Sequence, residues 1–159
     1  MRLLKLILAA FALAFLVTGC DSVSDRLSAR FDKVEPKSRW YKADQKVVFA
    51  AAETAMKTID FKVTRSRETQ GIVQGLSRLL PGTSFGDTKQ HTIEVKVYAS
   101  AQGYSTVEVL VKEQEETADF KGATDIPLRE HGLYDSYFAA LEQALQAQGV
   151  KIEEQQMVR

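Results

Sequence analysis

Two runs in this chain alternate strictly. Thr92-Ile93-Glu94-Val95-Lys96-Val97-Tyr98 and Ser105-Thr106-Val107-Glu108-Val109-Leu110-Val111 place an aliphatic residue at every second position. Successive side chains of a strand point to opposite faces, so each run offers one face to a core and one to water, a pattern that does not fit a helix. Ala101-Gln102-Gly103 joins them tightly enough to require antiparallel pairing. Phe61-Lys62-Val63-Thr64 and Ile72-Val73-Gln74-Gly75-Leu76 alternate as well, with Glu68-Thr69-Gln70-Gly71 as the turn between them. A four-stranded antiparallel meander is expected, with room for a short fifth strand at Trp40-Tyr41.

A sheet with one apolar face needs a cover, and two segments have the right period. Val48, Ala51, Ala52, Ala55 and Ile59 recur every three or four residues behind Asp44, a good N-cap, and predict a helix over 45–58. Its alanine-rich stripe suits close approach to a sheet. Tyr134, Tyr137, Phe138, Leu141 and Leu145 form a second stripe within 132–148, and Gly149 stands where a C-terminal cap belongs. The fold class is α+β: two layers, two helices over one sheet.

The N-terminus carries an address. Arg2 and Lys5 precede an apolar run from Leu6 to Val17, followed by Thr18 and Gly19, the layout of an export signal. The run is about 12 residues, short of the roughly 20 a helix needs to cross a bilayer. Val17-Thr18-Gly19-Cys20 resembles the lipobox of bacterial lipoproteins. That resemblance implies cleavage after Gly19 and lipid, such as palmitate, on Cys20. Cys20 is the sole cysteine, so it has no disulfide partner within the chain. The other reading is an ordinary secretory signal with a cysteine near its cut site. Asp21 resembles the residue that, in some Gram-negative bacteria, withholds a lipoprotein from the outer membrane, which favours the inner membrane. Without residues 1–19 the chain keeps 19 basic residues against 21 acidic ones. Such a balance lacks the basic excess of a nucleic-acid binder.

Four segments are therefore expected: a signal peptide over 1–19, the lipidated cysteine and a flexible tether over 20–39, the α+β domain over 40–149 and a polar tail over 150–159. The tether contains Val23, Leu27, Phe31 and Val34 at spacings that also suit a short amphipathic helix. The VFAAAETAMKTIDFKV opening, the QGIVQG segment and the IEVKVYASAQGYSTVEVLV pair resemble a family of small, uncharacterised bacterial lipoproteins. They also resemble the helix-grip domains in the C subunit of the outer-membrane β-barrel assembly machinery. Both resemblances imply a helix leading into a meander that ends in a second helix; the second also implies a docking role.

No catalytic constellation stands out. His91 and His131 lack the spacing that pairs metal ligands, and both are expected to face solvent. Glu113, Glu115, Glu116 and Asp119 read as a solvated acidic loop without calcium-ligand spacing. Gly82 and Gly86 lack the Lys-Ser/Thr pair of a phosphate loop. The chain is expected to be non-enzymatic, with no cofactor and no metal. Leu79, Leu80 and Phe85 sit in a loop punctuated by Pro81 and Gly82, outside strand alternation. They either fold back over the sheet edge or stand exposed as a partner contact. The function expected is a periplasmic, membrane-anchored lipoprotein that acts through an envelope protein partner. A small-ligand module with a pocket between helix and sheet is the alternative, followed by a hydrolase whose polar groups come from distant residues; a purely structural role also fits.

Overall fold

The two alternating runs become the centre of a sheet. The computed structural model describes residues 34–82, 87–117 and 120–152. The strands are β1 (Lys37–Tyr41), β2 (Lys62–Arg67), β3 (Ile72–Leu76), β4 (Leu80–Pro81), β5 (Thr88–Ala99), β6 (Ser105–Thr117) and β7 (Phe120–Pro127). They form one antiparallel sheet in the order β1-β6-β5-β3-β2, with β4 beside β5 and β7 beside β6. Helices α1 (Gln45–Thr58) and α2 (Gly132–Ala147) pack on one face of it. The domain is α+β.

The strand count, seven among the described residues, exceeds the four expected, or five with the short strand at Trp40-Tyr41, which is present as the end of β1. β1 begins at Lys37, inside the segment the sequence assigned to the tether, and pairs through Lys37↔Val109 to Tyr41↔Ser105. β5 and β6 continue past their apolar runs, and the carboxylates expected in a loop, Glu113, Glu115 and Glu116, lie on β6 opposite His91, Lys89 and Thr88. Asp119 lies outside the described residues. β7 adds a further strand to the same extension. Residues 88–91 and 112–117 are polar or charged, so these extensions form without the apolar alternation that marks the central runs. The C-terminal boundary also moves: Val150 and Ile152 pack against the core, where a free tail was expected.

The core is made where the stripes meet. Val73, Ile93, Val95, Val97, Val107, Val109 and Val111 point to the helices and meet Val48, Ala51, Ala52, Ala55 and Met56 of α1 and Tyr137, Phe138, Leu141 and Leu145 of α2. Each large apolar side chain so buried contributes about 1.5–3 kcal/mol. α1 comes close because its stripe is small and because Gly75 leaves room: a Cβ there would stand 2.7 Å from Met56 Sδ.

Both helices are stopped at both ends. Asp44 Oδ1 accepts from the Lys46 N–H at 2.9 Å to start α1. After Thr58, Asp60 takes a left-handed conformation at φ 65°, while the N–H groups of Asp60 and Phe61 donate to Lys57 O and Met56 O. α2 ends in the same way: Gly149 at φ 82° donates to Gln146 O and Val150 donates to Leu145 O.

β1, which ends the strand order, is fastened to α2 by side chains. Arg39 Nη1 lies 2.8 Å from Glu142 Oε1, and its guanidinium stacks 4.3 Å from the centre of the Phe138 ring. Tyr41 donates its hydroxyl to the same carboxylate oxygen at 3.2 Å. Burial, reinforced by Glu142, pushes the Tyr41 hydroxyl above the ordinary tyrosine range and keeps it a donor. Lys37 reaches Glu130 at 2.9 Å and lies over the Tyr134 ring.

Candidate functional site

The strand register sorts side chains by face, because residues directly opposite each other point the same way. With Val97 and Val107 on the helix side, the next row belongs wholly to the other side: Trp40, Thr106 and Tyr98 stand across β1, β6 and β5. Adjacent rows add Ser38, Glu108, Lys96 and Ile72, then Leu110, Glu94 and Gln74. No helix among the described residues covers this face. Trp40 is 48% exposed and Tyr98 42%, while Ile72, Leu76 and Leu110 are half-buried. The Tyr98 hydroxyl donates to Glu108 at 2.8 Å, and Lys112 pairs with Glu94 at 2.8 Å, so side chains on this face tie β5 to β6. The row is a firm aromatic edge on a polar sheet, suited to contact with another surface.

Sequence reasoning missed this pair, although the signal was present. Trp40 and Tyr98 occupy the wet phase of their strands, where an aromatic residue is out of place unless something covers it.

The predicted loop residues are not brought to this edge. Leu79 is 66% exposed, and Leu80 is half-buried in β4 opposite Lys89. Lys89 and Tyr98 are nine residues apart on β5, about 30 Å of strand. Phe85, like Val17, Thr18, Gly19, Cys20 and Asp21, lies outside the described residues.

The histidines, separated by forty residues in the sequence, meet at the far end of the sheet. Their ring centres are 5.1 Å apart. His91, expected to face solvent, has a side chain only 12% exposed. Its Nε2 is buried without a hydrogen-bond partner, with Glu113 Oε2 3.4 Å away. Burial, with His131 nearby, lowers its pKa, against the pull of Glu113. Lys89 lies 3.2 Å from Glu113 and 3.7 Å from Glu115. His131 is exposed and caps α2, its Nδ1 accepting from the Leu133 N–H at 3.2 Å. A ring that accepts at Nδ1 carries its proton on Nε2, which leaves no free lone pair for a metal. Among the described residues, no group of three His, Cys, Asp or Glu side chains is arranged to hold a metal ion, and no helix is long and apolar enough to cross a membrane.

No family model and no curated protein matches the chain. Among solved structures it is similar to the adenylate sensor of AMP-activated protein kinase in complex with ZMP, at 15% identity and a TM-score of 0.43, over 69% of this chain and 94% of that one. It is also similar to a TBP-like protein from Parabacteroides distasonis, at 13% identity and a TM-score of 0.40, over 74% and 97%. A DUF4468 family protein from Bacteroides ovatus follows at 13% identity and a TM-score of 0.33, over 73% and 83%. At such values the chemistry has to be read from this chain's own residues.

Proposed function

We propose that this chain is a non-enzymatic lipoprotein of the bacterial envelope, anchored by lipid on Cys20, whose α+β domain docks a protein partner on the helix-free face of its sheet. The observation that carries the docking reading is the exposed Trp40-Thr106-Tyr98 row. Large aromatic side chains at the rim of an uncovered sheet supply contact area at low entropic cost and are favoured at interfaces. The lipobox-like Val17-Thr18-Gly19-Cys20 supports the anchor, and Asp21 supports retention at the inner membrane. Leu79, with Leu80 and Phe85, is proposed as a second and separate contact. The final helix α2, bonded through Tyr134 to the backbone of β6, supports a helix-grip arrangement.

Site-specific photo-cross-linking in intact cells tests this. A cross-linkable residue at position 40 or 98 should trap one discrete protein, and the same group at Thr54 or Ser136, exposed on the helices, should not. Adducts that are equal on both faces, or absent from the sheet face, would remove the docking reading.

A further inference from the structure

β2 ends the strand order at the edge opposite β1, and its charges are handled differently. We propose that β2 is a strand-addition site for a carboxylate-rich extended segment of another protein, a surface separate from the Trp40-Thr106-Tyr98 row.

The edge is open. Five of the six residues of β2 are exposed, and only Val63 turns partly into the core. A strand exposed in this way leaves backbone N–H and C=O groups facing outward, where another extended chain can pair with them. Over six residues that ladder runs about 20 Å.

A bulge decides what the edge displays. Lys62 stands opposite Leu76 and Val63 opposite Gly75, but the register then shifts, so that Arg65, not Thr64, meets Gln74 and Arg67 meets Ile72. Strict alternation from Lys62 would send Arg65 and Arg67 to the helix side with Val63. The extra residue re-aims both to the helix-free face, where Lys62 already lies. Thr64 fixes the bulge by donating its hydroxyl to Gln74 O at 3.3 Å. Three cations therefore stand in one column, and neither β2 nor β3 contains a carboxylate to answer them. Asp60 and Glu68, at the two ends of β2, are exposed and pair with none of the three. Arg67 reaches Gln70 Oε1 at 3.5 Å, and among the described residues Lys62 and Arg65 form no ion pair. On β1 the reverse holds: Lys37 and Arg39 are held by Glu130 and Glu142.

These charges select the occupant. A second copy of this chain added at β2 would set like charges opposite each other, which destabilises a strand pair. An added strand with carboxylates at alternate positions brings each of them opposite a cation on the same face, in the places that Leu76, Gln74 and Ile72 take on the inner side.

Fluorescence anisotropy with the full chain in micelles of a neutral detergent tests this, the probe being a labelled short peptide that alternates glutamate with threonine. It should bind, and its glutamine counterpart should bind about fivefold more weakly, as the loss of two or three cross-strand charge pairs implies. Arg65→Gln with Arg67→Gln should cost about the same factor, and both side chains are exposed, so the fold is kept. Lys46→Gln with Lys57→Gln removes the same charge from exposed positions on α1 and should change binding by less than about twofold, because salt screens distant charges. Arg65→Glu with Arg67→Glu should exchange the preference for a peptide of alternating lysine and threonine. N-methylation of the peptide backbone keeps its charge, removes its donors and should abolish binding. Equal binding of the methylated peptide, or unchanged binding by the glutamine variant, would overturn the proposal. So would displacement of the peptide by phosphatidylglycerol added to the micelles, which would give the column to a lipid surface.

Discussion

Gly71 sits where the turn after β2 touches the end of β5, and replacing it with alanine separates two costs that usually arrive together. Its φ is +64°, in the left-handed region, which costs an alanine about 1–2 kcal/mol. A Cβ there would also overlap the carbonyl oxygen of Val97, a backbone atom that cannot swing aside. That oxygen accepts from Gln45 Nε2 at 3.0 Å, and the Val97 N–H donates to Gly71 O at 2.7 Å. Relieving the contact breaks one or both bonds at about 1 kcal/mol each, so Gly71→Ala should lose roughly 3 kcal/mol or more. Gly149→Ala is the control: φ is +82° and nothing lies within 4 Å of its Cβ, so only the left-handed cost of about 1–2 kcal/mol applies. Thermal unfolding followed by far-ultraviolet circular dichroism should separate the two by roughly 4–8 °C, at about 4 °C per kcal/mol for a domain of this size. Equal shifts would mean that the turn yields without breaking its bonds, and the packing argument at β5 would fail.

Tyr134→Phe removes the hydroxyl shared by Leu128 O and the Val111 N–H and should cost about 1–3 kcal/mol in urea unfolding; a loss under about 0.5 kcal/mol would show that water replaces it freely. Leu79→Ser alters an exposed side chain and should stay within about 0.5 kcal/mol, so a much larger loss would mean that the loop covers the core. Cys20→Ser should abolish metabolic palmitate labelling, and a labelled variant would end the lipid-anchor reading.

The helices and the middle of the sheet were legible because burial writes itself into the sequence. Val48 to Ala55 repeats every three or four residues, Val107 to Val111 every two, and α1 and its Asp44 cap fall where those periods put them. Legibility stops where burial stops. Gln90, Glu113 and Glu115 extend the central hairpin past the apolar runs, where backbone pairing and the cross-strand ion pairs of Lys89 hold the strands and no apolar residue is required. The first part of β1, ahead of the short strand expected at Trp40-Tyr41, was hidden for a related reason: Lys37 and Arg39 face the helix side but are satisfied by Glu130, Glu142 and two aromatic rings, so charged residues take the place a period-two reading reserves for apolar ones. The histidine pair could not be read at all, since only the fold brings position 131 beside position 91.

The fastening of β1 also determines how the domain carries load. A pull on the chain ahead of Lys37 enters through an edge strand of five residues. Directed along that strand, it strains all of the registered pairs from Lys37↔Val109 to Tyr41↔Ser105 together, as a shear. Directed away from the sheet, it peels them one at a time, and the Lys37–Glu130 and Arg39–Glu142 pairs meet the force first. The domain is therefore stiff to a pull in one direction and can be peeled open by a pull in the other.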